Sequence, residues 1–263
     1  MIQLIVSDVD GTLLINNRTS QADISALRWA ADAGIKICLA SGRTLNELQA
    51  YAHEVGIEPH YYISQNGALL HTREGSLLES SSFSADVASR LWTHAKGLEL
   101  AYTISCIDGH IYVPISHHFQ RMKDRMLSPI VATSDPMSLF NCGILPCKFA
   151  FFGDPGDLNE LQGTIESSLF GQVGTFLSSK DCLDVMPVNV SKGNALRVLL
   201  KHLDILPENA MCIGDAFNDL SMFESVRYSF AMEHSNSIVQ EAAYRAVGSV
   251  ADAVNWAKSN QVQ

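Results

Sequence analysis

The chain has 263 residues, 47% hydrophobic and 17% charged, with 18 Lys+Arg against 28 Asp+Glu and a net charge of −10. That length suits one large domain or two moderate ones, burying roughly 70–75% of the unfolded surface. The acidic balance argues against non-specific nucleic-acid binding, which needs a basic face, but leaves open small phosphorylated substrates, which are bound locally.

Leu4–Ser7 reads as a short apolar strand that runs into Asp8-Val9-Asp10-Gly11-Thr12. Two carboxylates spaced i, i+2 at the end of a buried strand cost free energy unless a cation holds them. They point to a divalent metal and phosphate chemistry. Ser20 is the N-cap expected for a helix over Gln21–Ala33, stopped by Gly34. Ile35–Ala40 is a second strand, Thr44–Val55 a second helix ending at Gly56, and Tyr61–Ser64 a third strand before the turn Asn66-Gly67. Strands alternating with helices at this spacing imply βαβ units and a parallel sheet.

The rhythm then changes. Ala68–His71 and Ser76–Leu78 read as a hairpin, and Glu79–Ser84 as a serine-rich linker. A helix over Asp86–Lys96 follows, then strands near Leu100–Ser105 and His110–Pro114 around Asp108-Gly109. A strand (Cys147–Phe152), a helix (Leu158–Ser168) and a strand pair (Val173–Ser178, Leu183–Met186) complete the block, while Pro129, Pro136 and Pro146 break any pattern over Phe119–Leu145. From Ser191 the first rhythm returns. Helices are expected over Lys192–Leu203, Phe217–Phe223, Ser237–Arg245 and Val250–Lys258, with strands over Met211–Ile213 and Tyr228–Ala231. The expected organisation is an α/β domain of residues 1–82 and 187–263, interrupted by an α+β domain over 83–186.

No apolar run approaches the ~20 residues of a membrane span, and the chain opens on a strand pattern without a basic leader or cleavage site, so no membrane partner and a cytoplasmic location are expected. The six cysteines are scattered, several within apolar runs, and read as reduced core thiols. Cys142 and Cys147 form the one close pair. A zinc site there needs two more ligands, with His117 and His118 as the available pair, and packing is the preferred reading.

Four polar clusters fall at or near the places where open parallel sheets bind ligands, beyond the carboxyl ends of the strands. They are Asp8–Thr12, Ser41-Gly42-Arg43-Thr44, Ser191-Lys192-Gly193 and Gly214-Asp215-Ala216-Phe217-Asn218-Asp219. A phosphate monoester is a dianion, and Mg²⁺ offsets its charge using carboxylate oxygens and waters. Asp8, Asp215 and an oxygen at or near Asp10, side chain or backbone, are the candidate metal ligands. Asp8 is also the candidate nucleophile. Asp10 is the candidate acid that protonates the leaving oxygen and later takes a proton from water. Ser41, the Gly42 amide and Lys192 are candidates to hold the phosphate oxygens, with Val9 and Asn218 as further candidates there, while Asn218 and Asp219 either complete the metal shell or orient Lys192. Taken singly, most of these are ordinary caps and turn residues. Four together favour a site. Arg43 either lines the pocket or pairs with a nearby acid, and Asn66 either lines it or serves only its turn.

Asp8-x-Asp10-Gly-Thr, Ser41-Gly-Arg43, Lys192-Gly and Gly214-Asp215-x-x-Asn218-Asp219 resemble the four motifs of the haloacid dehalogenase superfamily. The insertion between the second and third motifs resembles that of its Cof-type sugar-phosphatase branch, with a type IIB cap. The resemblance implies a Rossmann-like, doubly wound parallel-sheet core with an α/β cap, and Mg²⁺-dependent phosphatase activity. It implies Asp8 as nucleophile, Asp10 as acid/base, Ser41 and Lys192 at the phosphate, and Asp215 at the metal, with Asn218 and Asp219 in support. Position 10 is Thr in the phosphate-transferring pumps of the superfamily, so Asp10 argues for hydrolysis or mutase chemistry. One departure stands after the fourth motif: where close relatives often read Ala-Met-Gly-Asn-Ala, this chain has Ala231-Met232-Glu233-His234-Ser235.

The favoured reading is a phosphatase acting on a small phosphorylated metabolite, a sugar phosphate or a cofactor precursor, through an aspartyl-phosphate. A phosphomutase is the runner-up among enzymes, and a non-catalytic sensor of a phosphorylated ligand is the alternative outside them. Asp108, His110, His117 and His118, near the cap turns, are the candidates for setting specificity. The sequence does not set the oligomeric state.

Overall fold

The computed structural model describes residues 1–96, 100–114 and 130–260. They divide into two compact units, Met1–Glu79 with Ser191–Gln263, and Ser80–Val190. These limits lie a few residues from the boundaries read off the sequence.

The first unit is built on an eight-stranded sheet. Its opening half comprises β1 (Leu4–Ser7), α1 (Gln21–Asp32), β2 (Lys36–Ala40), α2 (Leu45–Val55), β3 (Tyr61–Ser64), β4 (Leu69–Thr72) and β5 (Leu77–Ser80). Its closing half comprises α6 (Lys192–Leu203), β12 (Ala210–Gly214), α7 (Leu220–Phe223), β13 (Tyr228–Met232), α8 (Ser237–Ala242), β14 (Arg245–Val247) and α9 (Val250–Asn260). The strand order is β14-β13-β12-β1-β2-β3-β4-β5. Strands from β14 through β3 pair in parallel, with Ile5 opposite both Met211 and Ile37, while β4 joins β3 antiparallel. The central strands are apolar on both faces because both faces are covered. Ile5, Ile37, Leu39, Ile213 and Phe230 pack with Leu27, Leu48 and Val254. Leu4, Val6, Cys38 and Cys212 pack on the opposite face with Leu196, Leu199 and Met222. This is a doubly wound α/β sheet with β1 at its centre, and the loops leaving the carboxyl ends of β1, β2 and β12 are neighbours.

Local sequence fixes where those loops end. Ser20 caps α1 by accepting the Asp23 amide at 3.0 Å. Thr44 and Glu47 form a reciprocal capping box at the start of α2. Ser191 caps α6 by accepting the Asn194 amide at 3.1 Å. Such a cap contributes about 1 kcal/mol and sets the first residue of α6, which is Lys192.

The second unit carries a six-stranded sheet in the order β10-β11-β9-β6-β7-β8. Its elements are α3 (Ala85–Ala95), β6 (Ala101–Cys106), β7 (Ile111–Pro114), β8 (Ile130–Thr133), α4 (Pro136–Asn141), β9 (Pro146–Phe152), α5 (Pro155–Ser168), β10 (Val173–Ser179) and β11 (Cys182–Pro187). Phe149 and Phe151 alternate onto the face covered by Leu91, Leu158 and Ile165. Each of these buried side chains contributes about 1.5–3 kcal/mol.

Two expectations need correction, and one unassigned stretch gains structure. The helix expected over Ser237–Arg245 stops at Ala242. Tyr244 instead donates its amide to Ser229 Oγ, and Arg245–Val247 add to β13 as an edge strand, so tertiary pairing overrides helical propensity. Glu79 and Ser80, assigned to a linker, lie in β5. Within the unassigned stretch Phe119–Leu145, β8 and α4 form; Pro136 sits at the first helical position, where its missing N–H costs nothing. Of the cysteines, Cys38, Cys106, Cys147 and Cys212 are buried, whereas Cys142 is exposed. His117 and His118 lie outside the described residues. Among the described residues, no helix is long and apolar enough to cross a membrane.

Candidate active site

Asp8 follows β1 directly and its amide donates to the Ile213 carbonyl, so backbone pairing carries it to the centre of the sheet's carboxyl edge. Its side chain is buried, and Lys192 Nζ donates to Asp8 Oδ1 at 2.6 Å and to Asp219 Oδ1 at 2.7 Å. Asp219 Oδ2 accepts the amides of Asp215 and Ala216 at 2.9 and 3.0 Å, so both its oxygens are occupied. Thr12 Oγ1 donates to Asp215 Oδ1 at 2.9 Å. Gly11 has φ +90°, and a Cβ there would run into the Asp215 carboxylate, so the turn after β1 requires glycine.

Oxygens of Asp8, Asp215 and Asp219 lie within 4.8 Å of one another. Burial pushes the Asp8 carboxyl well above the usual carboxylate range, Lys192 opposes the shift, and Asp219 and Asp215 add to it. Burial also raises Asp215, with Asp219 adding to the effect. Burial disfavours the Lys192 charge, but Asp219 and Asp8 outweigh it and the ammonium titrates above its ordinary value. Asp8 Oδ2 is buried without a hydrogen-bond partner. Three carboxylates around one ammonium leave an excess of two negative charges and an unused oxygen lone pair, a donor set that could bind a divalent metal.

Asp10 stands apart from this cluster. Its carboxylate accepts from Arg43 Nε and Nη2 at 2.9 and 2.6 Å and from Ser41 Oγ at 3.3 Å, and it is 52% exposed. The equal standing that the i, i+2 spacing suggests is therefore absent: Asp8 turns inward to Lys192, Asp10 outward to Arg43. Val9, between them, packs its side chain in the core, which leaves only its backbone to face a ligand. Ser41 Oγ also accepts the Arg43 amide at 3.2 Å. Asn218 Nδ2 donates to Asn66 Oδ1 at 3.1 Å, which joins the fourth cluster to the turn after β3, and Gly42 lies against the Asn66 amide.

The structure thus brings Asp8, Lys192, Asp215 and Asp219 into one group, Asp10, Ser41 and Arg43 into a second, and Gly42, Asn66 and Asn218 into a third. Glu233 and His234 are exposed in the turn after β13, where the Glu233 amide donates to Val247. In the second unit, Asp108 accepts from the His110 amide and from Tyr112 Oη. Sequence reasoning missed Ser221 and Ser225. Ser221 Oγ accepts the Gly193 amide at 3.0 Å, and Ser225 Oγ donates to the Gly193 carbonyl at 3.2 Å. Their i, i+4 spacing just behind the fourth cluster is the signal that could have found them.

Comparison with known proteins agrees with this geometry. A family model described as haloacid dehalogenase-like hydrolase matches residues 5–255. HMP-PP phosphatases of Escherichia coli O157:H7 and Shigella boydii are each 29% identical over 237 residues, spanning 88% of this chain and 84% and 88% of theirs. A haloacid dehalogenase-like hydrolase from Bacteroides thetaiotaomicron superposes with a TM-score of 0.84 at 25% identity, over 98% of this chain and all of the other. A HAD subclass IIB sugar phosphatase shares the fold, with a TM-score of 0.78 at 19% identity over 99% of this chain and 100% of the other. Family and relatives together mark the chain as a phosphatase. A match over nearly its whole length, with all four polar clusters gathered at one sheet edge, places this chain in the haloacid dehalogenase-like hydrolase family.

Proposed function

We propose that this phosphatase hydrolyses a small phosphorylated metabolite, a sugar phosphate or a cofactor precursor, through an aspartyl-phosphate on Asp8. The observation that carries the reading is the charge arrangement at Asp8: a buried carboxylate held by Lys192 on one oxygen and unpartnered on the other, beside two further acids. The donor set fits Mg²⁺. Asp8 and Asp215 are the side chains to hold it, because Asp219 is fully engaged by Lys192 and two amides. The Asp10 side chain faces Arg43, so a backbone oxygen is the remaining donor at that position. Bound there, Mg²⁺ supplies offsetting charge for the phosphate dianion.

The chain's own residues then divide the work. A carboxylate oxygen of Asp8 forms the new bond to phosphorus as the bond to the leaving oxygen breaks. Asp10, in its protonated form and still accepting from Arg43, gives that oxygen its proton and then takes one from the water that cleaves the aspartyl-phosphate, which restores Asp8 and frees phosphate. Lys192, Ser41, Asn218 and the amides of Val9 and Gly42 offset charge on the other phosphate oxygens. Arg43 orients Asp10. Simple phosphate sensing does not call for Asp10 beside Asp8, which disfavours the binding-protein alternative.

The test is turnover of an aryl phosphate with and without Mg²⁺ by wild type and Asp8→Asn, followed by a panel of sugar phosphates and HMP-PP ranked by kcat/KM. Mg²⁺-dependent turnover that Asp8→Asn loses is expected. A wild type inert across the panel would sink the proposal.

A further inference from the structure

Between β3 and β4, Gln65, Asn66 and Gly67 have φ values of 50°, 55° and 101°, three successive residues in the left-handed region. Only glycine adopts that region freely, and such strain persists only where the surroundings over-determine it. Here they do. The Gln65 amide donates to the Arg43 carbonyl at 2.8 Å and the Asn66 amide to the Ser41 carbonyl at 2.9 Å, so the turn holds the backbone on both sides of Gly42. The buried Asn66 side chain lies against Gly42, where an added Cβ would meet its Nδ2 and Oδ1 at 3.2 Å. Asn66 Oδ1 accepts from Asn218 Nδ2, which leaves Asn218 Oδ1 buried without a partner. Gly67 is pressed against the Ser191 carbonyl, so that a Cβ there would run into the residue that precedes Lys192.

One three-residue turn therefore touches the second, third and fourth polar clusters at once. We propose that Asn66 is a positioning residue. Its strained turn and its amide set the Ser41–Arg43 loop, the start of α6 and Asn218 in one mutual register, and so shape the cradle for the phosphate oxygens. This rests on the phosphatase reading and adds to it a residue that touches none of the reacting atoms. The second function of the turn is to fix the Asn218 amide. With one Nδ2 hydrogen committed to Asn66, the other remains a donor for a phosphate oxygen, and Oδ1 is left as an acceptor for a hydroxyl or a water.

Asn66→Gly tests this, because glycine keeps the left-handed backbone without strain and removes only the amide. With an aryl phosphate as substrate, KM is expected to rise about 10-fold, and the inhibition constant of inorganic phosphate with it, while the thermal midpoint stays within a few degrees of wild type. Adding Asn218→Ala to Asn66→Gly should cost less than adding it to wild type, because the two residues act as a unit. Asn66→Asp retains the acceptor and tolerates the left-handed region, so in that background Asn218→Ala should cost as much as in wild type. Unchanged KM and phosphate inhibition in Asn66→Gly, or fully additive losses with Asn218→Ala, would overturn the positioning role while leaving the phosphatase reading intact. A wild type that fails to turn over the aryl phosphate would overturn both.

Discussion

Lys192 Nζ lies 2.6 Å from Asp8 Oδ1 although 184 residues separate the two in sequence, and both side chains are at least 95% buried. An ion pair so placed is set by the sheet: β1 carries Asp8, and the Ser191 cap starts α6 at Lys192.

Lys192→Met removes the ammonium and leaves Asp8 and Asp219 buried together without a counter-charge. A loss of about 3–5 kcal/mol is expected, since breaking a buried pair strands its partner. Urea unfolding in metal-free buffer measures it. Turnover should fall in the same variant even under conditions where it remains folded, because the phosphate loses its cation.

The pH dependence of metal-free stability follows from Asp8 and Asp215. Both carboxyls are raised in the folded chain, mainly by burial. As pH rises above the ordinary value of about 3.9, the folded state retains protons that the unfolded state releases, so stability falls through that window. Lys192 acts in the opposite range. Its raised value contributes stability that is fully present below about pH 10.4 and lost only as pH climbs through the folded value. Thermal unfolding without metal should therefore show a midpoint that falls as pH is raised from about 4, and added Mg²⁺ should restore more of it at the higher pH.

Asp10→Asn separates the two acids. If Asp10 protonates the leaving oxygen, the variant loses about 10²–10⁴-fold on an alkyl phosphate, whose leaving group needs the proton, and much less on an aryl phosphate, whose leaving group does not. Equal losses on both substrates would remove Asp10 from that role. Arg43→Ala tests the orienting pair: kcat should fall about 10-fold on the alkyl phosphate, with a smaller change in KM.

Gly11→Ala places a Cβ against the Asp215 carboxylate at a backbone angle that alanine resists. It should weaken Mg²⁺-dependent stabilisation and turnover together, as read by thermal shift with and without the ion.

Much of this site could be read from the chain because its residues cluster at strand ends. Asp8, Ser41, Lys192 and Asp215 each follow or precede an apolar run whose end is marked by glycine or by a capping serine or threonine. What could not be read was orientation. The spacing of Asp8 and Asp10 gave no sign that Lys192 would take one carboxylate inward and Arg43 the other outward, since both partners come from other loops. Asp219 read equally as a metal ligand or an orienting group, and the two amides it accepts, which favour the orienting role proposed above, leave no mark in the sequence. Arg245–Val247 looked helical because an edge strand's pairing with β13 leaves no local trace. β8 lay hidden among prolines for the same reason: its partner, β7, is distant in sequence.

The most direct test of the central claim is acid-quench trapping of the covalent intermediate. Wild type mixed with a radiolabelled aryl phosphate and Mg²⁺ should carry one labelled phosphoryl group on Asp8, and Asp8→Asn should carry none and lose at least about 10³-fold in turnover. Wild-type turnover with no label on Asp8, or an Asp8→Asn variant as active as wild type, would contradict it.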